Sequence, residues 1–183
     1  MNINRRQTLV MLGTVLVTPM PTLYAADSHQ SAIPRVYKIV AERHSIPTSI
    51  FYAVALTESG KQYDSTLLPW PWTLNIDGDG NYYESYHAAK IALSKALEKS
   101  QSVDIGLMQI NWRWHQDKLQ NIATALNPLQ NLNYGARILH ECYQQSGDWW
   151  EAVGHYHSPA NTTKARRNAE RYRQRVKAHW TRL

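Results

Sequence analysis

The chain has 183 residues, 43% of them apolar, and 20 Lys and Arg against 14 Asp and Glu, for a net charge of +6. That length and apolar content suit one domain around a single core and exclude a disordered chain. Cys142 is the only cysteine, which excludes an internal disulfide framework and any paired-cysteine metal site.

The chain opens on Arg5-Arg6, an apolar run from Leu9 to Val17, and then Pro19, Pro21, Ala25 and Ala26. This is the order of a secretory signal, with cleavage expected after Ala25. The expected organisation is therefore a signal peptide over residues 1–25 and one exported, periplasmic domain over residues 26–183. The apolar run is shorter than the roughly 20 residues that cross a bilayer, so no stable membrane span is expected after cleavage. A basic exported chain rich in Trp and Tyr points to an anionic, sugar-like or membrane-surface partner. Nucleic acid fits the charge but is scarce outside the cytoplasm and is not expected as a partner.

From Ile33 to His44, the positions of Val36, Ile39, Val40 and Arg43 predict a short amphipathic helix. Pro47 or Thr48 opens a second helix, and Gly60 stops it. Ile50, Val54 and Glu58 fall four apart there, so the carboxyl of Glu58 continues an apolar stripe. A carboxyl so placed loses hydration, which raises its pKa towards the range of a general acid. The plainer reading is a last-turn residue turned to solvent, and the spacing alone favours that one.

Thr73 to Ile76, Asp77-Gly78-Asp79-Gly80 and Asn81 to Glu84 predict a small β-hairpin. A calcium loop is excluded, because Tyr82 stands where the loop needs glycine and Ala88 where it needs glutamate. Trp70, Trp72, Tyr82 and Tyr83 divide between local core and a face for sugar stacking. Ala89, Ala92, Leu93 and Ala96 predict a helix over 86–99. The segment from Ser102 to Asn111 has neither helical nor strand period, and its mix of apolar residues and amides around Gly106 predicts a buried loop lining a cleft. Trp112 and Trp114 follow as core or stacking surface.

Asn127-Pro128 starts a long helix, read as the central core helix, in which Leu129, Leu132, Ala136, Leu139 and Tyr143 share a face. Gly135 inside it predicts close packing of a neighbouring backbone. Asp148 with Glu151 opens another helix, ended by Pro159. The basic tail from Lys164 keeps Ala165, Ala169, Tyr172, Val176 and Trp180 at helical spacing, a docked face with a solvated basic face opposite. No cofactor or metal site is expected from the spacing of the eight His.

Together the motifs resemble the lytic transglycosylases of the soluble-transglycosylase type, family one. Ala55-Leu56-Thr57-Glu58-Ser59-Gly60 looks like the catalytic Glu-Ser motif, and Gly106-Leu107-Met108-Gln109-Ile110 like the Gly-Leu-Met-Gln motif. Asn131-Leu132 and Gly135 with Leu139 are similar to the Asn and Gly helix motif, and Tyr156 falls where the family has Ala-Tyr-Asn, with His157 departing from the asparagine. The resemblance implies a mainly α, lysozyme-like (α+β) single domain with a small β-hairpin insertion, acting on the glycan strands of peptidoglycan. It implies Glu58 as the catalytic acid and base, with Ser59, Met108, Gln109 and Tyr156 binding substrate, and Tyr156 supporting Glu58 by a hydrogen bond or by closing the cleft. Asp104, Asn111 and His157 are secondary candidates. Asp104 matters most among these, because its segment also looks like the one carrying the second carboxylate of animal-type lysozymes, which keeps hydrolysis as an alternative beside a silent wall-binding module. The long excursion from Tyr63 to Val103 resembles transglycosylases associated with conjugation or secretion machinery.

Overall fold

Every residue from Ile50 to Leu56 is buried, so the second helix has no polar face and the rest of the chain wraps around it. The computed structural model describes residues 33–183, and the expected signal peptide lies outside them. In order come α1 (Arg35–Arg43), α2 (Thr48–Ser59), two hairpins, β1 (Gly60–Tyr63) with β2 (Thr66–Pro69) and β3 (Thr73–Ile76) with β4 (Asp79–Tyr82), and then α3 (Tyr86–Leu97). Strands β5 (Val103–Ile105) and β6 (Ile110–Asn111) lead into α4 (Trp112–Leu119) and α5 (Ile122–Ala125). The chain ends with α6 (Pro128–Ser146), α7 (Trp149–His157) and α8 (Thr163–Trp180). This is the expected mainly helical domain with a small β insertion.

The helix signals set their own boundaries. The Asn127 side chain accepts from the Gln130 N–H and opens α6, and Gly147 closes it. The Asp148 carboxylate accepts from the N–H groups of Trp150 and Glu151 at the start of α7. Glu151 does not complete a capping box, since its carboxylate is taken by Arg173 at 2.9 Å.

Two helical faces differ from the expectation. In α1 the buried residues are Tyr37, Val40 and Ala41, whereas Val36 and Ile39 are exposed. The helix is turned because the Tyr37 ring meets Phe51 and Tyr52 of α2, at centroid distances of 6.0 and 4.8 Å. The central helix is α2 and not α6, which is buried along one face only, through Asn131, Leu132, Gly135, Ala136 and Leu139, with Leu129 exposed.

The expected hairpin is present. Asp77 and Gly78 both have positive φ, 52° and 97°, as a two-residue type I′ turn requires, and Ile76 pairs with Asp79 across it. The sheet is larger than expected, with strand order β4-β3-β5-β6, and β1 and β2 form a second, separate hairpin. Ser102 to Asn111 is thus not a plain loop. It is a pair of short strands around a tight turn, and three residues are too few for an alternating period to show, although Val103 and Ile105 point inward and Asp104 outward. Among the described residues no helix is long and apolar enough to cross a membrane.

Candidate active site

The site forms where the end of α2 meets α8 on one side and the sheet on the other. Helix α8 runs antiparallel along α2. Its buried face, Ala165, Ala169, Tyr172 and Val176, docks as expected, and its far end is tied by the Trp180 indole N–H donating to the Ser49 hydroxyl at 3.0 Å. This alignment brings Tyr172 to the last turn of α2, where its phenol donates to Glu58 Oε1 at 2.6 Å.

Glu58 is half-buried and its pKa is raised to about 7. Burial is the main cause, and the charge of Asp104 adds to it. The Tyr172 hydrogen bond and the Arg175 guanidinium pull the other way. The last turn of a helix, where carbonyl oxygens point outward, also disfavours a negative charge. A carboxyl with this pKa is part protonated and part ionised near neutral pH, so one group can both give and take a proton.

Tyr172 is the residue the sequence reading left unassigned. It was placed on the docked face of α8 as core. A signal was present, because the lone phenol on a stripe otherwise made of Ala, Val and Trp needs a polar partner when buried. Conversely, Tyr156 does not hydrogen-bond to Glu58. Its hydroxyl donates to the Met108 carbonyl at 2.7 Å, because α7 points it at the turn between β5 and β6 and not at the end of α2. Glu58 still raises the Tyr156 pKa, second to burial, so the two share one electrostatic neighbourhood. His157 stacks flat on Tyr172, with centroids 4.5 Å apart and planes 3° from parallel. Burial, with Arg175, lowers its pKa.

The residues expected to bind substrate instead converge on the turn Gly106 to Gln109. Ser59 is fully buried and donates to the Leu107 carbonyl at 2.8 Å, fastening the turn to α2 beside Glu58. Met108 is also fully buried and its side chain fills the space above Gly135, where an added Cβ would stand 2.5 Å from Met108 Cβ. The close neighbour that makes Gly135 necessary is therefore this side chain and not a backbone. Neither Ser59 nor Met108 presents its side chain at the surface. Asn131 accepts from the Met108 N–H at 2.9 Å and donates to the Ile105 carbonyl at 2.9 Å. Gly106, at φ +79°, approaches Asn131 so closely that a Cβ would lie 2.5 Å from its amide nitrogen. Half-buried Gln109 has positive φ and donates to the carbonyls of Thr73 and Gly106, at 3.1 and 2.9 Å. These contacts over-determine the conformation of the turn.

The sheet side carries the second carboxyl. Asp104 lies between Asn75 on β3 and Asn111 on β6 in register, and accepts from their amides at 3.2 and 2.7 Å. Burial raises its pKa, and the Asn111 hydrogen bond opposes that shift. The side-chain oxygens of Asn75 and Asn111 are buried without a partner. Unsatisfied acceptors of this kind cost about 1–3 kcal/mol each unless a water or a ligand hydroxyl or amide meets them.

The aromatic excursion is mostly self-engaged. Trp70 meets Trp72 edge-on, donates to the Tyr83 carbonyl at 2.7 Å, and has the Lys61 ammonium 4.1 Å from its ring centroid. Exposed Tyr82 donates to the Gly60 carbonyl. Trp112 packs against the core, whereas Trp114 is 73% exposed. A hollow of about 430 Å³ between Tyr52, Leu67, His179 and Leu183 is not lined by Glu58 or Asp104. Among the described residues no three or more His, Cys, Asp or Glu side chains are grouped to hold a metal ion.

Comparison with known proteins places these features in context. The model of the transglycosylase SLT domain matches residues 82–179, more than half of the chain, from the end of β4 through most of α8. The matched span contains Asp104, Asn131, Tyr156 and Tyr172, and Glu58 precedes it. Protein IpgF of Shigella sonnei and protein IpgF of Shigella flexneri are each 26% identical over 155 residues, 82% of this chain and 77% of the relative. No solved structure matches.

Proposed function

The chain belongs to the transglycosylase SLT domain family, and on that premise we propose that it is an exported peptidoglycan lytic transglycosylase with Glu58 as its acid and base. Protonated Glu58 gives its proton to the glycosidic oxygen between a muramoyl and a glucosaminyl residue. Ionised Glu58 then takes the proton of the muramoyl 6-hydroxyl, whose oxygen closes on the anomeric carbon. The products are a free 4-hydroxyl on one side and a 1,6-anhydromuramoyl end on the other, with no water consumed.

The observation that carries this reading is the half-buried Glu58 carboxyl with its pKa near 7, held by the Tyr172 phenol. One such group suffices for the chemistry, whereas most glycoside hydrolases use two carboxyl groups. Tyr172 fixes one oxygen of the carboxyl and leaves the other for the substrate. Gln109 and Asn111, both half-buried beside the turn and the sheet, are proposed to meet the sugar, Asn111 through its unpartnered side-chain oxygen.

Export to the periplasm is supported by the Arg5-Arg6 start, the Leu9 to Val17 run and Ala25. A role in local wall opening for a conjugation or secretion apparatus is supported by the long excursion between α2 and β5, which carries two hairpins and α3. Digestion of purified peptidoglycan followed by mass analysis tests the chemistry. Anhydromuramoyl ends, about 18 mass units lighter than hydrolysed ends because no water is added, are expected, and they vanish in Glu58→Gln.

A second reading rests on Asp104, whose carboxylate is anchored by two amides and whose charge reaches Glu58. Products with reducing ends would establish hydrolysis with Asp104 as the second carboxyl. Strand binding with no Glu58-dependent product would establish a wall-binding module.

A further inference from the structure

Helix α8 treats its cations in two ways. On the flank facing α7 they are engaged: Arg173 is paired to Glu151 at 2.9 Å and to Glu170 at 2.7 Å, and the Lys177 ammonium sits 5.1 Å from the Trp150 ring centroid. On the other flank Lys164, Arg167, Arg171 and Arg175, spaced three, four and four apart, form one exposed stripe. No carboxylate forms an ion pair with any of them among the described residues. Arg171 has only the neutral Asn168 amide oxygen, at 2.7 Å. Like charges at this spacing repel one another along a helix, and Glu170, which borders the same surface hollow as Lys164, Arg167 and Arg171, has its carboxylate engaged by Arg173 and Gln174.

The stripe is about 16 Å long by helical rise, and it leads to the site. Its last member, Arg175, donates to the Thr57 carbonyl at 3.2 Å, lies over the Tyr172 ring, and acts electrostatically on Glu58. An anion lying along Lys164, Arg167 and Arg171 is thus led by Arg175 to the end of α2 that carries Glu58. A glycan strand bound there carries peptide stems on its muramoyl residues, and those stems end in and bear carboxylates. A uniform row of guanidinium and ammonium groups matches carboxylates that recur along one strand, since Arg pairs them in bidentate fashion and needs no fixed sequence.

We propose that Lys164, Arg167, Arg171 and Arg175 form a docking surface for the carboxylate-bearing peptide stems of the glycan strand whose backbone lies at Glu58. The inference rests on the peptidoglycan reading above, and makes the stems, rather than the sugar alone, part of what the protein recognises.

The test is co-sedimentation of the full exported chain carrying Glu58→Gln, so that nothing is cleaved, with intact peptidoglycan and with glycan strands stripped of their stems by an amidase. Intact material is expected to bind about tenfold more tightly, as a few exposed ion pairs allow, and the difference shrinks as salt is raised. Adding Lys164→Gln, Arg167→Gln and Arg171→Gln removes the difference. Arg167→Lys with Arg171→Lys keeps it, and so does the single change Arg166→Gln, an exposed cation outside the stripe. A difference that survives the triple glutamine change overturns the proposal, as does equal binding of intact and stripped strands. Stripe-dependent binding to vesicles of anionic phospholipid, without dependence on stems, also overturns it and assigns the stripe to a membrane surface. Stem-dependent binding in a protein whose Glu58 form cleaves nothing leaves the stripe standing and removes the enzymatic reading. Glu58-dependent cleavage with equal KM on intact and stripped strands does the reverse.

Discussion

The two sides of the site hold one carboxyl each and treat it differently. On the helical side Glu58 sits at the end of α2, the helix buried on every face, and receives one hydrogen bond from a phenol that is itself buried. On the sheet side Asp104 stands on the outward face of β5, flanked in register by two amides that donate to it. Burial raises both, Glu58 to about 7, and the Asn111 hydrogen bond opposes the shift of Asp104. Few donors and an apolar setting favour the protonated form; several donors favour the charged one. On the proposed reading Glu58 carries the proton, and Asp104, held by two amides, acts on it through its charge.

The largest effect expected from breaking this asymmetry is at Glu58. Glu58→Gln keeps the size and the acceptor for Tyr172 but removes proton transfer, and cleavage should fall by about 10² to 10⁴-fold with an unchanged circular dichroism spectrum. Next comes Gly135→Ala, whose added Cβ would meet Met108 and displace the turn that spaces the two sides. Overpacking of this kind costs roughly 1–3 kcal/mol, which urea unfolding measures, and the lost stability should be accompanied by lost activity.

Tyr172→Phe tests the helical side alone. Removing the hydrogen bond that favours the charged form raises the Glu58 pKa further, so the alkaline limb of the pH profile should move to higher pH while the rate falls roughly tenfold for one lost bond to a charged group. Asp104→Asn tests the sheet side and should act in the opposite direction. Loss of a nearby negative charge lowers the Glu58 pKa, the alkaline limb moves to lower pH, and the rate falls only a few-fold if Glu58 works as sole acid and base. A fall as large as that of Glu58→Gln would make Asp104 a partner in the bond-breaking step.

Much of this arrangement was legible where the signal is local. Asn127-Pro128 and Asp148 fixed helix starts because a cap and a first turn lie within four residues, and Asp77-Gly78 fixed a hairpin because a type I′ turn needs positive φ at both positions. Glu58 stood out through the Glu-Ser motif, because its place on an apolar stripe alone favours a solvent-facing residue. What escaped depends on distant contacts. Tyr172 lies 114 residues from Glu58, and nothing in a basic tail announces which neighbour its one phenol meets. The face of α1 was misread because ring contacts between Tyr37 and α2 outweigh the burial of Val36 and Ile39. Strand β5 was missed because it takes its definition from pairing with β3 rather than from its own three residues. Ser59 and Tyr156 meet the turn between β5 and β6, and Met108 within it is held by Asn131, contacts between distant segments that motif spacing does not reveal.

The proposed chemistry depends on the helical side holding Glu58 so that it exchanges a proton near neutral pH. Titration of the chain with carbon-13 in its glutamate carboxyl groups, with the Glu58 resonance assigned by its absence in Glu58→Gln, measures this directly. The expected midpoint is about 7, moving up in Tyr172→Phe and down in Asp104→Asn. A midpoint at the ordinary glutamate value near 4.3, unmoved by either change, would contradict it.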